Sequence, residues 1–178
     1  MNSIRLGRSR VNIDELMHDA FHAIARRAQA RSIRVTMCVP AAMPTLFAEG
    51  DLLRVALDNL LENALRYSDK GGRIDVEAEE TEREIVIRVC DDGWLIEPSD
   101  QPHVFDRFFR ANGSGGRRPD GLGLGLYLAN EIVALHAGRI TVSSAPGAGN
   151  VFAIHLSKSL LAHEARHEAE LVADSRQR

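Results

Sequence analysis

The sequence predicts an α/β two-layer sandwich, in which three helices cover one face of a mainly antiparallel mixed sheet. Two observations lead to this fold class. Three segments place apolar residues at the three- and four-residue spacing of amphipathic helices, and other segments alternate apolar and polar residues as strands do. Their order is helix, strand, helix, hairpin, loop, helix and hairpin, which suits one sheet with the helices on one side.

The N-terminal half supplies two helices and one strand. A first helix is predicted over residues 12–31, where apolar residues share one face and Asp14 suits the first turn. Residues 33–39 predict a strand, which Pro40 ends. A second amphipathic helix is predicted over residues 51–67.

The C-terminal half supplies two hairpins separated by a loop and a helix. Two alternating runs within residues 71–93 predict the first hairpin, and residues 139–157 predict the second. The third helix is predicted to begin within the glycine triplet at 121–125 and to end at Gly138. The irregular stretch 91–120 is of a length that in compact domains is usually functional or disordered.

These elements define the expected domain organisation. We expect a linker remnant over residues 1–11, one domain over 12–157 and a helical or disordered tail over 158–178. The 22 Lys and Arg nearly balance the 25 Asp and Glu, so we expect no nucleic-acid partner. No run approaches the ~18 apolar residues of a membrane span, so we expect no direct membrane contact by this segment.

The cysteines and histidines do not form a metal-site pattern. Cys38 and Cys90 lie inside apolar, strand-like runs, and we expect both to be reduced thiols in the core. The seven histidines include no HExxH pair and have no cysteine partners, which argues against a zinc site.

Three polar residues lie on one seam of the second helix. Asn59, Asn63 and Arg66 fall between its apolar and charged faces, although asparagine lowers helix propensity. The side-chain amide oxygens of Asn59 and Asn63 are hard neutral ligands of the kind that Mg²⁺ accepts. The alternative is an ordinary solvated helix edge.

The first hairpin ends in the sequence CDDG. Asp91 leaves the strand there, and Gly93 permits a turn that other residues resist. A carboxylate at a strand end can accept a hydrogen bond from an exocyclic amine such as that of adenine. It could equally cap the turn.

The segment GLGLGLYLANEIV predicts an anion site. Its glycines let the backbone approach a ligand closely, and the helix that follows directs free N–H groups at the same place. A flexible loop before a helix is the alternative. In the preceding segment VFDRFFRA, Arg107 and Arg110 stand beside phenylalanines, from which an arginine could reach a phosphate.

In this order, DNLLENALRYS, VCDDG, VFDRFFRA, GLGLGLYLANEIVALHAGRI and PGAGNVF resemble the N, G1, F, G2 and G3 boxes of sensor histidine kinase catalytic domains. The resemblance covers roughly residues 11–157 and implies the Bergerat ATP-binding fold of the GHKL superfamily. It implies a nucleotide between the helices and a mobile lid at about 112–120. ATP and Mg²⁺ are the cofactors it implies.

The resemblance also implies roles for individual residues. Asn63 matches the Mg²⁺-binding asparagine, with Asn59 near the phosphates and Arg66 in the nucleotide site. Tyr67 matches the aromatic residue that packs on adenine, and Asp91 matches the carboxylate bonded to the adenine amine.

The remaining matched positions lie toward the phosphates and beside the base. Gly93 matches the glycine that follows the adenine-binding carboxylate. The segment from Gly121 to Gly125 matches the lid end around the phosphates, and includes Leu122, Gly123 and Leu124. Arg110 matches the arginine that contacts the γ-phosphate.

Position 59 bears on the type of reaction. Related ATPases of the superfamily, such as the gyrase and MutL types, carry a water-activating glutamate four residues before the Mg²⁺ asparagine. Here that residue is Asn59, whose amide is not basic. We therefore predict transfer of the γ-phosphoryl group to a histidine rather than hydrolysis, with Asn59 and Arg110 as the catalytic residues.

The acceptor histidine is expected outside this chain. The family's acceptor motif resembles His-Glu-Leu-Arg-Thr-Pro on a long helical hairpin, whereas His18 is followed by no Arg-Thr-Pro and neither it nor His22 suits the role. The expected partners are a phosphoacceptor histidine domain and a response regulator. We expect the full-length protein to be a homodimer. We expect this domain to lie in the cytoplasm, and the cytoplasmic part of a membrane-anchored sensor is one such arrangement.

Two departures from the family pattern leave alternatives open. Trp94 and Leu95 follow Gly93, so the second glycine of the usual Asp-x-Gly-x-Gly is missing, and Asn150 replaces the common Thr or Ser. One alternative is a catalytically degenerate nucleotide-binding or docking module. Another is a superfamily ATPase or an anti-sigma-factor serine kinase.

Overall fold

The computed structural model describes residues 7–111 and 121–160. The described helices are α1 (Ile13–Ala30), α2 (Gly50–Tyr67) and α3 (Gly125–Leu135), with a 3₁₀ turn at Gln101–His103. The described strands are β1 (Ser9–Asn12), β2 (Arg34–Cys38), β3 (Thr45–Ala48), β4 (Arg73–Glu80), β5 (Glu84–Asp91), β6 (Arg139–Ala145) and β7 (Gly149–Ser157). The expected lid at 112–120 and the tail beyond residue 160 lie outside these residues.

Five strands form the main sheet in the order β2-β4-β5-β7-β6. β2 pairs with β4 in parallel, and the other three pairs are antiparallel. Both predicted hairpins are present. The predicted fold class, a mainly antiparallel mixed sheet in an α/β sandwich, is confirmed.

The helices form where the apolar spacing predicts them. Asn12 caps α1, because its side-chain oxygen accepts hydrogen bonds from the backbone N–H groups of Asp14 at 2.9 Å and Glu15 at 3.4 Å. The apolar face of α2 is buried against the sheet and the other helices. None of the described helices combines the length and apolarity that a membrane crossing requires.

α2 and α3 run antiparallel to each other. The backbone N–H of Glu49, at the start of α2, donates to Nε2 of His136 at the end of α3 over 3.1 Å. At the opposite end of α3, its first residue Gly125 faces Asn59 in the middle of α2. This arrangement brings the middle of α2 and the beginning of α3 to the same place.

A second, two-stranded sheet was not expected from the sequence. β1 pairs antiparallel with β3, which begins at Thr45 directly after Pro44. Each strand has only four residues, which is too short for an alternating pattern to distinguish it from a loop. β1 overlaps the end of the segment expected as a linker, and the domain boundary itself stays a prediction.

The expectation of two core cysteines is wrong. Cys38 is exposed and Cys90 is only partly buried. Cys38 alternates with more buried neighbours along the edge strand β2, so its side chain points to the face without helices. Partial burial raises the pKa of the Cys90 thiol, and the carboxylates of Glu77 and Asp75 raise it further.

Candidate functional site

A cavity of about 440 Å³ opens between α2, the beginning of α3 and the segment that follows β5. This volume is within the range of small-molecule sites. The lining residues are Asn59, Glu62, Asn63, Arg66, Tyr67, Trp94, Leu95, Ile96, Val104, Phe109, Arg110, Ala111, Gly121, Leu122, Gly123, Leu124, Gly125, Leu126, Asn150 and Phe152. They include every site residue predicted from the sequence except Asp91 and Gly93.

One stripe of α2 forms the polar wall of the cavity. Asn59, Asn63, Arg66 and Tyr67 are spaced so that their side chains share one side of the helix. Nδ2 of Asn59 donates to the backbone oxygen of Val55 at 2.8 Å. Its Oδ1 points toward the beginning of α3, where a Cβ on Gly125 would lie 2.8 Å from it.

The donor atoms of this wall suit a hard cation. Asn59 and Asn63 contribute amide oxygens, and Glu62 contributes the single carboxylate among the described lining residues. Mg²⁺ binds such oxygens while it keeps waters and phosphate oxygens in its shell. Within residues 7–111 and 121–160, no group of three His, Cys, Asp or Glu could hold a metal ion. The amide oxygens of this wall would bind Mg²⁺ together with the phosphate oxygens of a ligand.

Two aromatic rings stand beside the cavity. The rings of Tyr67 and Trp94 meet edge to face, with centroids 5.8 Å apart. Burial raises the pKa of the Tyr67 hydroxyl, while the positive charges of Arg66 and Arg110 lower it. A flat apolar surface and two guanidinium groups therefore lie within electrostatic reach of each other.

Asp91 lies behind the cavity wall at the end of β5 and is 5% exposed. Its Oδ1 accepts hydrogen bonds from Gly93 N at 2.9 Å and from Asn150 Nδ2 at 2.8 Å. Burial raises the pKa of this carboxyl to about 6, against the opposing effect of the two hydrogen bonds. Oδ1 thus caps the turn through Gly93 N, while the ligand-facing role of the carboxylate stays a prediction.

Gly93 fits a space that no other residue could occupy. A Cβ at this position would lie 2.6 Å from Oδ1 of Asp91 and 2.8 Å from the backbone oxygen of Tyr67. Both distances are below van der Waals contact. Gly93 thus lets β5 and the end of α2 approach each other beside the cavity.

The glycine segment is held against the phenylalanine-rich segment. The backbone N–H of Phe108 donates to Gly123 O at 3.0 Å. Gly123 has φ +67°, and a Cβ there would lie 2.5 Å from the backbone oxygen of Phe109. This contact brings Arg110 and the glycine segment into one wall.

The beginning of α3 faces the cavity. The helix starts at Gly125, and Leu124 before it provides no side-chain cap. The first N–H groups of a helix have no intrahelical partner and carry a partial positive charge. The predicted anion-binding segment therefore lies in the cavity wall.

Leu95 does not fill the cavity. Its side chain contributes to the wall beside Ile96, and the cavity remains open. The replacement of the family's second glycine by Leu95 therefore leaves a cavity beside it.

Sequence reasoning missed part of the wall. Glu62 belongs to the charged face of α2, which the sequence does not distinguish from a solvated surface, and the segment after β5 gives no periodic signal for Ile96, Val104 or Ala111. The phenylalanines of the segment VFDRFFRA are the one sequence feature that indicates this part of the wall, and Phe109 among them lines the cavity.

The two histidines considered as acceptors lie on α1. His18 and His22 are exposed and their rings stack with centroids 6.1 Å apart. α1 is followed directly by the strand β2 and forms no helical hairpin.

Residues 48–160 match the family described as histidine kinase-, DNA gyrase B-, and HSP90-like ATPase. The chain is 42% identical over 108 residues to the sensor histidine kinase RppB of Synechocystis sp., covering 61% of this chain and 24% of that protein. It is 34% identical over 167 residues to the sensor-like histidine kinase SenX3 of Mycobacterium tuberculosis, covering 94% of this chain and 40% of that protein.

A solved structure agrees with these sequence matches. The mycobacterial sensor histidine kinase MprB superposes with a TM-score of 0.74 at 27% identity, covering 84% of this chain and 97% of that chain. The chain spans less than half the length of the two curated relatives.

Proposed function

This chain belongs to the histidine kinase-, DNA gyrase B-, and HSP90-like ATPase family, and from that premise we propose that it is the Mg-ATP-binding catalytic domain of a protein-histidine kinase. It transfers the γ-phosphoryl group to a histidine on a phosphoacceptor segment outside this chain, for relay to a response regulator. The observation that carries the proposal is the cavity, which gathers two aromatic rings, the beginning of α3 and hard oxygen donors.

The base lies at the end of the cavity beside Tyr67 and Trp94. Its flat ring packs against their apolar surface. Asp91 has both described hydrogen bonds on Oδ1, so its second carboxylate oxygen accepts the exocyclic amine of adenine. These contacts support an adenine nucleotide over one with an oxygen at that ring position.

The phosphates lie at the other end, against the glycine segment. Backbone N–H groups from Gly123 to the start of α3 and the guanidinium of Arg110 surround this end. The planar fork of an arginine suits phosphate oxygens. Arg66, also in the wall, contributes further positive charge.

Asn63 and Asn59 would hold the magnesium ion through their amide oxygens. When bound, the ion neutralises negative charge on the phosphates. The chain's own contribution is to fix those oxygens on a rigid helix, since Asn59 is held by its hydrogen bond to Val55.

In the transfer step, an imidazole nitrogen of the acceptor histidine forms a bond to the γ-phosphorus. The bond from that phosphorus to the β–γ bridging oxygen breaks, and ADP leaves. Arg110 stabilises the charge on the transferring group. The attacking nitrogen of a neutral imidazole uses its lone pair, and the proton on the other ring nitrogen passes to solvent or to a group beside the acceptor, so this domain need not supply a base.

Two residues of the described cavity wall bear on hydrolysis as an alternative activity. Asn59 is an amide, and both oxygens of Glu62 accept from the guanidinium of Arg27 across the helix surface. Those hydrogen bonds engage both carboxylate oxygens with a side chain of α1 rather than with the cavity. This favours histidine phosphorylation over the ATPase alternative.

Calorimetric titration with ADP, with and without Mg²⁺, tests the nucleotide site. We expect saturable binding that Mg²⁺ strengthens and that Asp91→Asn abolishes. Trp94, the single tryptophan, gives a second signal from the cavity wall. Absence of binding to the folded chain would contradict the proposal and favour a docking module.

Phosphoryl transfer is tested with labelled ATP and a separately produced phosphoacceptor domain. The expected product is a phosphoryl group that is lost in acid and retained in alkali, as phosphoramidates are. Phosphate release at the same rate with and without the acceptor would support an ATPase instead.

A further inference from the structure

Three polar side chains form a row across the sheet behind the cavity. In the strand register, Asp91 on β5 is opposite Asn150 on β7, which is opposite Ser144 on β6. Asn150 is 3% exposed. The backbone pairing of the three strands does not require polar side chains here, so their presence calls for another reason.

The hydrogen bonds of the row run in one direction. The backbone N–H of Ile96 donates to Oγ of Ser144 at 3.0 Å, and that hydroxyl donates to Oδ1 of Asn150 at 2.6 Å. Nδ2 of Asn150 then donates to Oδ1 of Asp91 at 2.8 Å and to the backbone oxygen of Trp94 at 3.1 Å. The network itself therefore fixes which end of the amide is the donor.

The strands of this row also hold residues 94–101, the segment that begins with Trp94 of the cavity wall. Gln101 Nε2 donates to the backbone oxygens of Ser144 at 3.0 Å and Ile96 at 3.1 Å. Together with the bond from Asn150 to Trp94, these contacts tie both ends of an irregular segment to β6 and β7. A buried polar network with its partners in place is rigid.

We propose that Asn150 and Ser144 are positioning residues for base recognition, which hold the Asp91 carboxylate with one oxygen saturated and the other turned to the ligand. This inference rests on the proposed nucleotide site and extends it. The amide occupies Oδ1, so the carboxylate cannot rotate freely, and it presents an acceptor to the base. A 6-amino purine satisfies that acceptor, whereas a 6-oxo purine places a second acceptor against it.

The test compares ADP with IDP, which differ at the 6-position of the base. Asn150→Ala is expected to weaken ADP binding by about tenfold or more and to reduce the ADP-to-IDP preference by a similar factor. Asn150→Thr keeps a hydroxyl donor and is expected to restore part of the preference. Ser144→Ala removes one link and should give a smaller loss of the same kind.

The matched control is Ser143→Ala, because Ser143 is the adjacent exposed residue of the same strand. It should leave both affinities unchanged. A second readout needs no ligand: carbon-13 NMR follows the titration of the Asp91 carboxyl, whose pKa is expected to rise in Asn150→Ala because a hydrogen bond to the charged form is lost.

The outcomes distinguish a failure of the proposed function from a failure of this inference. Wild-type chain that binds no ADP contradicts the proposed function and this inference together. Wild-type binding with an ADP-to-IDP ratio that Asn150→Ala and Ser144→Ala leave unchanged overturns this inference alone. If Asn150→Ala fails to fold, Ser144→Ala and Asn150→Thr decide the question by the same ratio and the Asp91 titration.

Discussion

Asp91→Asn is expected to stabilise the folded chain at neutral pH while it removes nucleotide binding. Oδ1 accepts two hydrogen bonds in the folded state, and an amide oxygen can accept the same two. That requirement places the new NH₂ group where the second carboxylate oxygen was. The adenine amine would then meet a donor instead of an acceptor.

The raised pKa of Asp91 determines how the free energy of unfolding of the wild type changes with pH. Burial raises the folded-state pKa of Asp91 to about 6 from the ordinary 3.8. The carboxyl therefore stabilises the fold fully below about pH 4, and this contribution is lost as pH rises through 6. The shift corresponds to about 3 kcal/mol, roughly half of it between pH 5 and pH 8. Asn at this position has no such dependence.

Urea unfolding of wild type and Asp91→Asn between pH 4 and pH 8 measures this difference. We expect the stability of the variant relative to wild type to increase by about 2.4 kcal/mol between these two pH values, since part of the shift falls below pH 4. Glu82→Gln changes an exposed carboxylate in the turn between β4 and β5, away from Asp91, and provides the baseline. A difference that stays constant across this range would refute the argument from burial.

Three further predictions concern other residues. Asn63→Ala removes an amide oxygen from the cavity and is expected to abolish the Mg²⁺ dependence of ADP binding in calorimetry without unfolding the chain; an unchanged Mg²⁺ effect would remove the metal assignment. Arg110→Ala should spare ADP affinity and slow single-turnover transfer at least tenfold, about the loss of one charged hydrogen bond; an unaltered rate would count against its phosphate role. His136 is buried, with Nδ1 bonded to Ile132 O at 2.8 Å and Nε2 accepting from Glu49 N. Because burial lowers its pKa from 6.5, wild type should lose stability as pH falls below that value, and thermal unfolding of His136→Gln should lack that part of the loss.

The helices and the main sheet could be predicted because each buries one face. Apolar residues recur at helical spacing in α1 and α2, and they alternate in β4 and β5, so the sequence carries the periodicity that burial requires. β1 and β3 could not be found this way. Their pairing depends on contact between residues far apart in sequence rather than on a local pattern.

The candidate site was predicted where it coincides with local motifs. Asn59, Asn63 and the glycine segment stand out because their residue types are unusual for their positions. The segment after β5 could not be placed, because tertiary hydrogen bonds such as those from Gln101 determine its course. The side of β2 on which Cys38 lies also depends on the register of the sheet.

The hydrogen bond from Phe108 to Gly123 joins two points of the chain on either side of residues 112–120. The two flanking positions are thus held together by a backbone contact of their own. Once two points of a chain are joined, doubling the number of residues between them costs only about 0.6 kcal/mol in closure entropy. An epitope or a fluorescent reporter inserted within 112–120 should therefore leave the hydrogen bond from Phe108 to Gly123 and the cavity wall in place, which makes this position suitable for insertions.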